Sequence, residues 1–143
     1  MSYLKTLSEN FKVYSEAIKL EHSIFALPFA LLTLFIVSEG SPNFATFFWI
    51  MIAMVSMRTF GMGTNRIIDK EIDSKNPRTS NRALPKGLIS LNQMLFFTSL
   101  SLILFVIAVF NLHSSAVKYS PIPIAVMIIY PYLKRFTWLA HFG

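Results

Sequence analysis

The chain has no cysteine and few charged side chains. Without Cys among its 143 residues, disulfide bonds are excluded. Charged residues make up only 14% of the chain, whereas a soluble domain averages about 25%. Apolar residues instead make up 54%, with 14 Phe among them. This composition excludes an ordinary soluble domain and predicts an all-α integral membrane protein that crosses the bilayer several times.

Several common chemical motifs are also missing. The three His residues are far apart in the sequence, so no pair has the spacing of a zinc site. No glycine-rich phosphate loop or nucleophile triad is visible. The net charge of +6 does not indicate nucleic-acid binding, because the cations flank apolar runs, where a membrane explains them better. We expect no cleavable signal peptide, since the first twenty residues carry lysines but no compact apolar core.

Apolar runs predict about four transmembrane helices. They cover roughly residues 20–37, 44–63, 91–112 and 121–133. Pro121, Pro123 and Pro131 predict that the fourth helix is irregular or kinked. Before the first span, residues 8–20 alternate polar and apolar side chains with a helical period. This pattern fits either an amphipathic helix on the membrane surface or an ordinary solvated helix end.

The distribution of cations predicts the orientation of the spans. Lysines precede the first span, six Lys or Arg follow the second, and Lys134 and Arg135 end the fourth. The two opposite connections hold only Lys118, which lies in the predicted polar turn 113–120. By the positive-inside rule, the amino terminus and residues 64–90, here called the motif loop, are cytoplasmic.

The motif loop begins with three oxygen-bearing side chains spaced four residues apart. On a helix, Asn65, Asp69 and Asp73 share one face. Mg²⁺ prefers such oxygen ligands and takes others from substrate phosphates. The surrounding cations are Arg66, Lys70, Lys75, Arg78, Arg82 and Lys86. Together they predict a phosphate site bridged by Mg²⁺, although Asp-x-x-x-Asp alone also fits a solvated acidic helix end. Glu71 points to another face, and we expect it to be structural.

Two further groups of residues are candidates for the same site. Arg58 lies inside the second span, two helical turns before Asn65, and therefore shares the sector of the carboxylates. An arginine there is costly unless it faces a wet cavity or snorkels to the interface, and both interpretations fit. Tyr130 and Lys134 are one turn apart and face either the same cavity or the membrane interface as an anchor.

Three segments resemble the UbiA family of intramembrane prenyltransferases. They are LEHSIFALPFALL (20–32), RTFGMGTNRIIDKEIDSKNPRTSNRALPKG (58–87) and YPYLKRFTWLAH (130–141). The middle segment is the specific one, because its Asn-Asp-Asp series, Asn-Pro-Arg-Thr and Asn-Arg-x-x-Pro-x-Gly recur together in that family. The resemblance is strongest to the bacterial branch of 4-hydroxybenzoate polyprenyltransferases and the similar menaquinone-pathway enzymes.

The resemblance implies a fold, a reaction and a set of site residues. The fold would be the amino-terminal part of a nine-helix bundle in the bacterial inner membrane. The reaction would be Mg²⁺-dependent transfer of an isoprenyl group from a polyprenyl diphosphate to an aromatic acid, as in ubiquinone or menaquinone biosynthesis. The implied metal and catalytic residues are Asn65, Asp69, Asp73 and Arg58. Those implied for substrate binding are Arg78, Arg82, Tyr130 and Lys134.

One departure from the family pattern leaves alternatives open. The family has a second aspartate-rich motif after the sixth span, and this chain has four predicted spans. We therefore expect a carboxy-terminal half to be needed, with the 143 residues inactive alone. A non-catalytic fragment or remnant is the first alternative. The second is a CDP-alcohol phosphotransferase, which also has Asp-x-x-x-Asp on membrane helices, but its Asp-Gly and upstream Ala-Arg pairs are absent here.

Overall fold

The computed structural model describes residues 2–20, 25, 27–37, 40 and 43–136, and regular structure in these residues is entirely helical. The helices are α1 (Ser2–Ala17), α2 (Leu27–Val37), α3 (Phe44–Ile68), α4 (Lys70–Lys75), α5 (Leu91–Phe110), α6 (Ser114–Tyr119) and α7 (Pro121–Phe136). The pattern of apolar runs along the sequence therefore predicts the fold class correctly.

Three helical stretches in the described residues are long and apolar enough to cross a membrane, by length and composition. They are Phe44–Ile68, Leu91–Phe110 and a composite of α6 and most of α7, Ser114–Leu133. The first predicted span is different, because α2 has only 11 residues, and a bilayer needs about 20. Residues 21–24 and 26 of that predicted span lie outside the described residues, and with them Glu21 and His22.

Two element boundaries differ from the sequence prediction. The second span was expected to end near Gly63, but α3 continues to Ile68 because residues 64–68 contain no helix breaker and Asp69 caps the helix. The predicted turn over residues 113–120 is helical, as α6. His113 caps that helix by accepting a hydrogen bond from the backbone N–H of Ser115 at 3.3 Å, which the sequence pattern did not indicate.

Helix α3 is the central element and contacts α2, α5 and α7. Two glycines allow these close approaches. A Cβ atom at Gly63 would collide with the side chain of Thr98 on α5, and one at Gly61 would collide with Met127 on α7. Small residues of this kind let neighbouring helices pack closely, although the flexible Met127 side chain can shift more easily than Thr98.

The second half of the motif loop is packed against α1 and α5. Leu84 and Ile89 are buried in a core that also contains Tyr14 and Phe97. The rings of Tyr14 and Phe97 are 5.0 Å apart, and the Tyr14 hydroxyl shares a 3.4 Å hydrogen bond with Thr98. Burial raises the pKa of Tyr14 above its ordinary value, so this hydroxyl stays neutral well into alkaline conditions. The motif loop is thus fixed to the bundle by apolar contacts.

Candidate functional site

The Asn-Asp-Asp series forms a continuous helical row across a helix boundary. Asp69 ends α3 and precedes α4. Its backbone N–H donates to the Asn65 carbonyl at 3.0 Å, and the N–H of Asp73 donates to the Asp69 carbonyl at 2.8 Å. These bonds maintain the four-residue spacing that the sequence predicts. Asp69 and Asp73 are only 4% and 5% exposed, so neither lies on an open solvated helix end.

Asp73 is held by residues of the motif loop. The Nη1 atom of Arg82 donates to both carboxylate oxygens of Asp73, at 2.7 Å to Oδ1 and 2.6 Å to Oδ2. The Thr79 hydroxyl donates to the backbone carbonyl of Asp73 at 3.1 Å. Asp73 is nearly enclosed, whereas the Arg82 side chain remains 34% exposed. A cation on a partly exposed side chain therefore covers a predicted metal ligand.

Arg66 is a site residue that the sequence interpretation did not assign. It is 8% exposed, and its Nε donates to the Ala17 carbonyl at the end of α1 at 3.1 Å. Its guanidinium also interacts electrostatically with Asp69, Asp73 and Arg82. Arg66 thus links α1 to the carboxylate cluster. The signal available in the sequence was its position directly after Asn65, among the six cations that surround the carboxylates.

A cavity of about 380 Å³ opens between α3 and α7 and contains three of the predicted site residues. Arg58 and Asn65 reach it from α3, and Tyr130 reaches it from α7. The rest of the lining is largely methionine, with Gly61 and Pro131: Met54, Met57, Met62 and Met127. Asn65 is therefore shared between this cavity and the helical row of carboxylates. Methionine gives the wall an apolar and adaptable surface.

Arg58 carries an unsatisfied hydrogen-bond donor. Its Nε is the only buried side-chain nitrogen or oxygen without a hydrogen-bond partner in the part of the chain that the structure describes. Such groups are rare in native proteins, and each is explained by a functional role, a bound water or ion, or local strain. This placement favours the cavity interpretation of Arg58 over snorkelling.

The remaining predicted residues are not gathered into the site in the same way. Arg78 is exposed, and its backbone N–H donates to the Asn76 side chain at 3.0 Å. Lys134 belongs to α7, but its side chain lies outside the described residues. Glu71 is exposed, whereas Asp69 and Asp73 are buried, which agrees with the prediction that Glu71 points to another face. Among residues with a described structure, no cluster of three or more His, Cys, Asp or Glu has the geometry of a metal site.

Comparison with known proteins identifies relatives by sequence. The model of the UbiA prenyltransferase family matches residues 26–142. A 4-hydroxybenzoate octaprenyltransferase from Aliivibrio fischeri (strain MJ11) is 32% identical over 109 residues, covering 76% of this chain and 38% of the relative. The protein of that name from Saccharophagus degradans is 31% identical over 139 residues, covering 94% and 46%. The chain therefore spans less than half the length of these curated relatives.

Solved structures give the same result at the level of the fold. The apo structure of a UbiA homolog from Aeropyrum pernix K1 superposes with a TM-score of 0.79 at 33% identity, covering 85% of this chain and 44% of that one. A digeranylgeranylglyceryl phosphate synthase gives a TM-score of 0.83 at 24% identity, covering 94% and 48%, and supports the fold alone. On the match over residues 26–142, the chain belongs to the UbiA prenyltransferase family.

Proposed function

We propose that this chain forms the diphosphate-binding part of a Mg²⁺-dependent membrane prenyltransferase. Its donor would be a polyprenyl diphosphate and its acceptor an aromatic acid such as 4-hydroxybenzoate, in the biosynthesis of a quinone. The family membership supports isoprenyl transfer, and the printed name of the Aliivibrio fischeri relative suggests the acceptor and the long prenyl chain.

The observation that carries this proposal is that Arg58, Asn65 and Tyr130 line one cavity, while the buried Nε of Arg58 has no hydrogen-bond partner within the protein. Arg58 is only partly buried, so its guanidinium can present donors to a ligand in the cavity, and an anion accepts such charge-assisted hydrogen bonds. A diphosphate suits this position because its oxygens accept several charge-assisted bonds at once. The methionine-rich wall would accept the first apolar carbons of the attached isoprenyl group.

The donor set of the helical row fits Mg²⁺. Asn65 offers an amide oxygen, while Asp69 and Asp73 offer carboxylates, and Mg²⁺ is typically bound by one or two carboxylates plus substrate phosphates and water. When bound, the ion would neutralise charge on the departing diphosphate. Asp69 and Asp73 are not part of the cavity lining, and Asn65 belongs both to that lining and to the helical row, so we propose that Asn65 connects the carboxylates with a diphosphate beside Arg58.

The proposed reaction exchanges one bond for another. The bond between the allylic carbon of the donor and the diphosphate oxygen breaks, and the diphosphate leaves with the electron pair. The allylic carbon then bonds to a ring carbon of the acceptor. That ring carbon loses its proton, which restores the aromatic ring. Arg58 would hold the charge that develops on the leaving oxygens. The apolar cavity wall would exclude water, which otherwise captures the allylic cation.

A non-catalytic role is the competing function, and one observation favours it. The chain covers only 38% to 46% of the curated relatives described above, so more than half of each relative has no counterpart in these 143 residues. We propose that the chain alone binds a diphosphate but does not turn over, and that the remainder of a relative supplies the missing wall.

The decisive experiment separates binding from turnover. The 143-residue chain in lipid nanodiscs should bind inorganic pyrophosphate in the presence of Mg²⁺ and lose it when EDTA is added, as measured by calorimetry. It should give no prenylated product from octaprenyl diphosphate and 4-hydroxybenzoate. Product should form once the unmatched remainder of the Aliivibrio fischeri relative is co-expressed with the chain. That remainder expressed without the chain is the control.

Each outcome of that experiment assigns the function differently. Failure to bind pyrophosphate under any condition would leave the non-catalytic function in place. Robust turnover by the chain alone would show that it is catalytically sufficient, and the proposed need for a further half would be wrong. Binding without turnover, restored by the remainder, supports the proposal in full.

We also propose a bacterial inner-membrane location with the amino terminus and the motif loop in the cytoplasm. The support is the excess of Lys and Arg on that side of the predicted spans. An alkaline phosphatase fusion near Ser115 should be active, and one near Lys75 should be inactive. A green fluorescent protein fusion at the same sites should give the opposite pattern. Active phosphatase near Lys75 would reverse the orientation.

A further inference from the structure

We propose that Arg82 is an internal counter-ion that occupies the Asp73 carboxylate until a metal ion replaces it. In this role Arg82 competes with Mg²⁺ for Asp73 and, once released, is free to bind the diphosphate. The inference rests on the proposed function, because it requires that Asp73 be a metal ligand.

The geometry of the ion pair is the first support. A single nitrogen, Nη1 of Arg82, contacts both oxygens of Asp73, at 2.7 Å and 2.6 Å. It therefore lies between the two oxygens, which is where a cation bound by both of them would lie. An arginine used only as a brace more often pairs through two nitrogens, one for each oxygen. Here the single Nη1 group of Arg82 contacts both carboxylate oxygens that a metal ion would use.

The burial of the two partners differs, and this difference is the second support. The Asp73 side chain is 7% exposed and that of Arg82 is 34% exposed. A metal ion therefore has little access to Asp73 while Arg82 remains in place. The long side chain of Arg82 can rotate toward solvent and leave Asp73. Its backbone stays in place during this rotation, because Leu84, two positions later, is buried in the core. The exchange needs no unfolding of the motif loop.

The charge balance of the cluster explains why a cation is needed there when no metal is bound. Asp69 and Asp73 are both buried, and two buried carboxylates repel each other unless cations compensate them. Arg66 and Arg82 supply two positive charges: Arg66 interacts electrostatically with both acids, and Arg82 pairs with Asp73. An arriving Mg²⁺ brings two charges of its own, so the attraction that holds Arg82 at Asp73 is reduced. The anionic diphosphate then becomes its stronger partner.

The test measures Mn²⁺ as a probe for Mg²⁺, by electron paramagnetic resonance on the 143-residue chain in nanodiscs. Without pyrophosphate, Arg82→Gln should bind Mn²⁺ roughly three- to tenfold more tightly than the native chain, the range expected for removal of one partly exposed competing charge. With pyrophosphate present, the same variant should retain the anion more weakly. Arg82→Lys keeps the charge and should give a smaller gain in Mn²⁺ affinity than Arg82→Gln.

Lys118→Gln is the control, because Lys118 is an exposed cation on α6, outside the motif loop and its predicted phosphate site. It removes the same charge and should leave Mn²⁺ affinity within twofold of native. Unchanged or weaker Mn²⁺ binding by Arg82→Gln would overturn the inference and make Arg82 a permanent brace of Asp73. If no form of the chain bound Mn²⁺, with or without pyrophosphate, the proposed function itself would fail. The thermal midpoint of each variant shows whether the fold is retained.

Discussion

Asp69→Asn and Asp73→Asn should each abolish Mg²⁺-dependent diphosphate binding. Each substitution keeps the size of the side chain and removes one negative charge from a nearly enclosed position. Leaving buried charges without a counter-ion costs about 3–5 kcal/mol, so the affinity for Mg²⁺ with pyrophosphate should fall by roughly 100-fold or more. Calorimetry on the chain in nanodiscs measures the binding. The assembly with the remainder of a relative should lose turnover by a comparable factor.

Glu71→Gln is the matched control for these two variants. Glu71 lies on the same short helix as Asp73, is exposed, and loses the same charge on substitution. Its effect on binding should stay below about threefold, since an exposed charge contributes little. Equal losses at all three positions would indicate that the helix had been disrupted, and the metal role of the carboxylates would then be wrong.

The two aspartates should differ from each other in one respect. Asp73→Asn also breaks the ion pair with Arg82 and weakens the attachment of the motif loop, so its thermal midpoint should fall. In Asp69→Asn that ion pair remains. A binding loss of similar size in both variants, together with a stability loss mainly in Asp73→Asn, would separate ligation from loop anchoring.

The fold was predictable wherever a long local signal decides it. The apolar runs predict α3, α5 and α7 because a span is recognised from its own composition. The extension of α3 to Ile68 and the helix α6 were not predicted, because both depend on single caps rather than on a run of residues. Asp69 ends α3, and His113 starts α6. The period of apolar residues carries no information about such caps.

The spacing of residues along the sequence predicted the site where they lie close together, whereas the placement of Tyr130 beside Arg58 in one cavity was only one of two open interpretations. Asn65, Asp69 and Asp73 follow one helical row, so their spacing alone indicated their common face. The contact between Arg82 and Asp73 depends on how the motif loop folds back, and the burial of Leu84 and Ile89 against α1 decides that. Those apolar residues are some 70 positions from Tyr14, and no local pattern indicates the pairing. The same limit applies to Arg66 and the carbonyl of Ala17.

Arg58→Met should lower diphosphate affinity and raise stability at the same time. Arg58 contributes a buried donor without a partner, and such a group destabilises the unliganded protein by about 1–3 kcal/mol. Methionine fills a similar volume in a cavity wall already rich in methionine, so the thermal midpoint of the unliganded chain should rise. The loss of charge-assisted bonds to the diphosphate should weaken pyrophosphate binding by roughly 30- to 100-fold, about 2–3 kcal/mol.

Arg66→Met provides the contrast, because it removes an arginine on the same helix that is already bonded. Its Nε donates to the Ala17 carbonyl, so its loss leaves that acceptor and the nearby carboxylates without their cation, and the thermal midpoint should fall. Opposite signs of the stability change in the two variants are the diagnostic result. If Arg58→Met also lowered stability and left pyrophosphate binding intact, Arg58 would be a structural arginine, and the observation that carries the proposed function would have another cause. A rise in stability with a loss of binding would mean that the unliganded protein keeps an unsatisfied donor on Arg58 because its ligand requires that arginine.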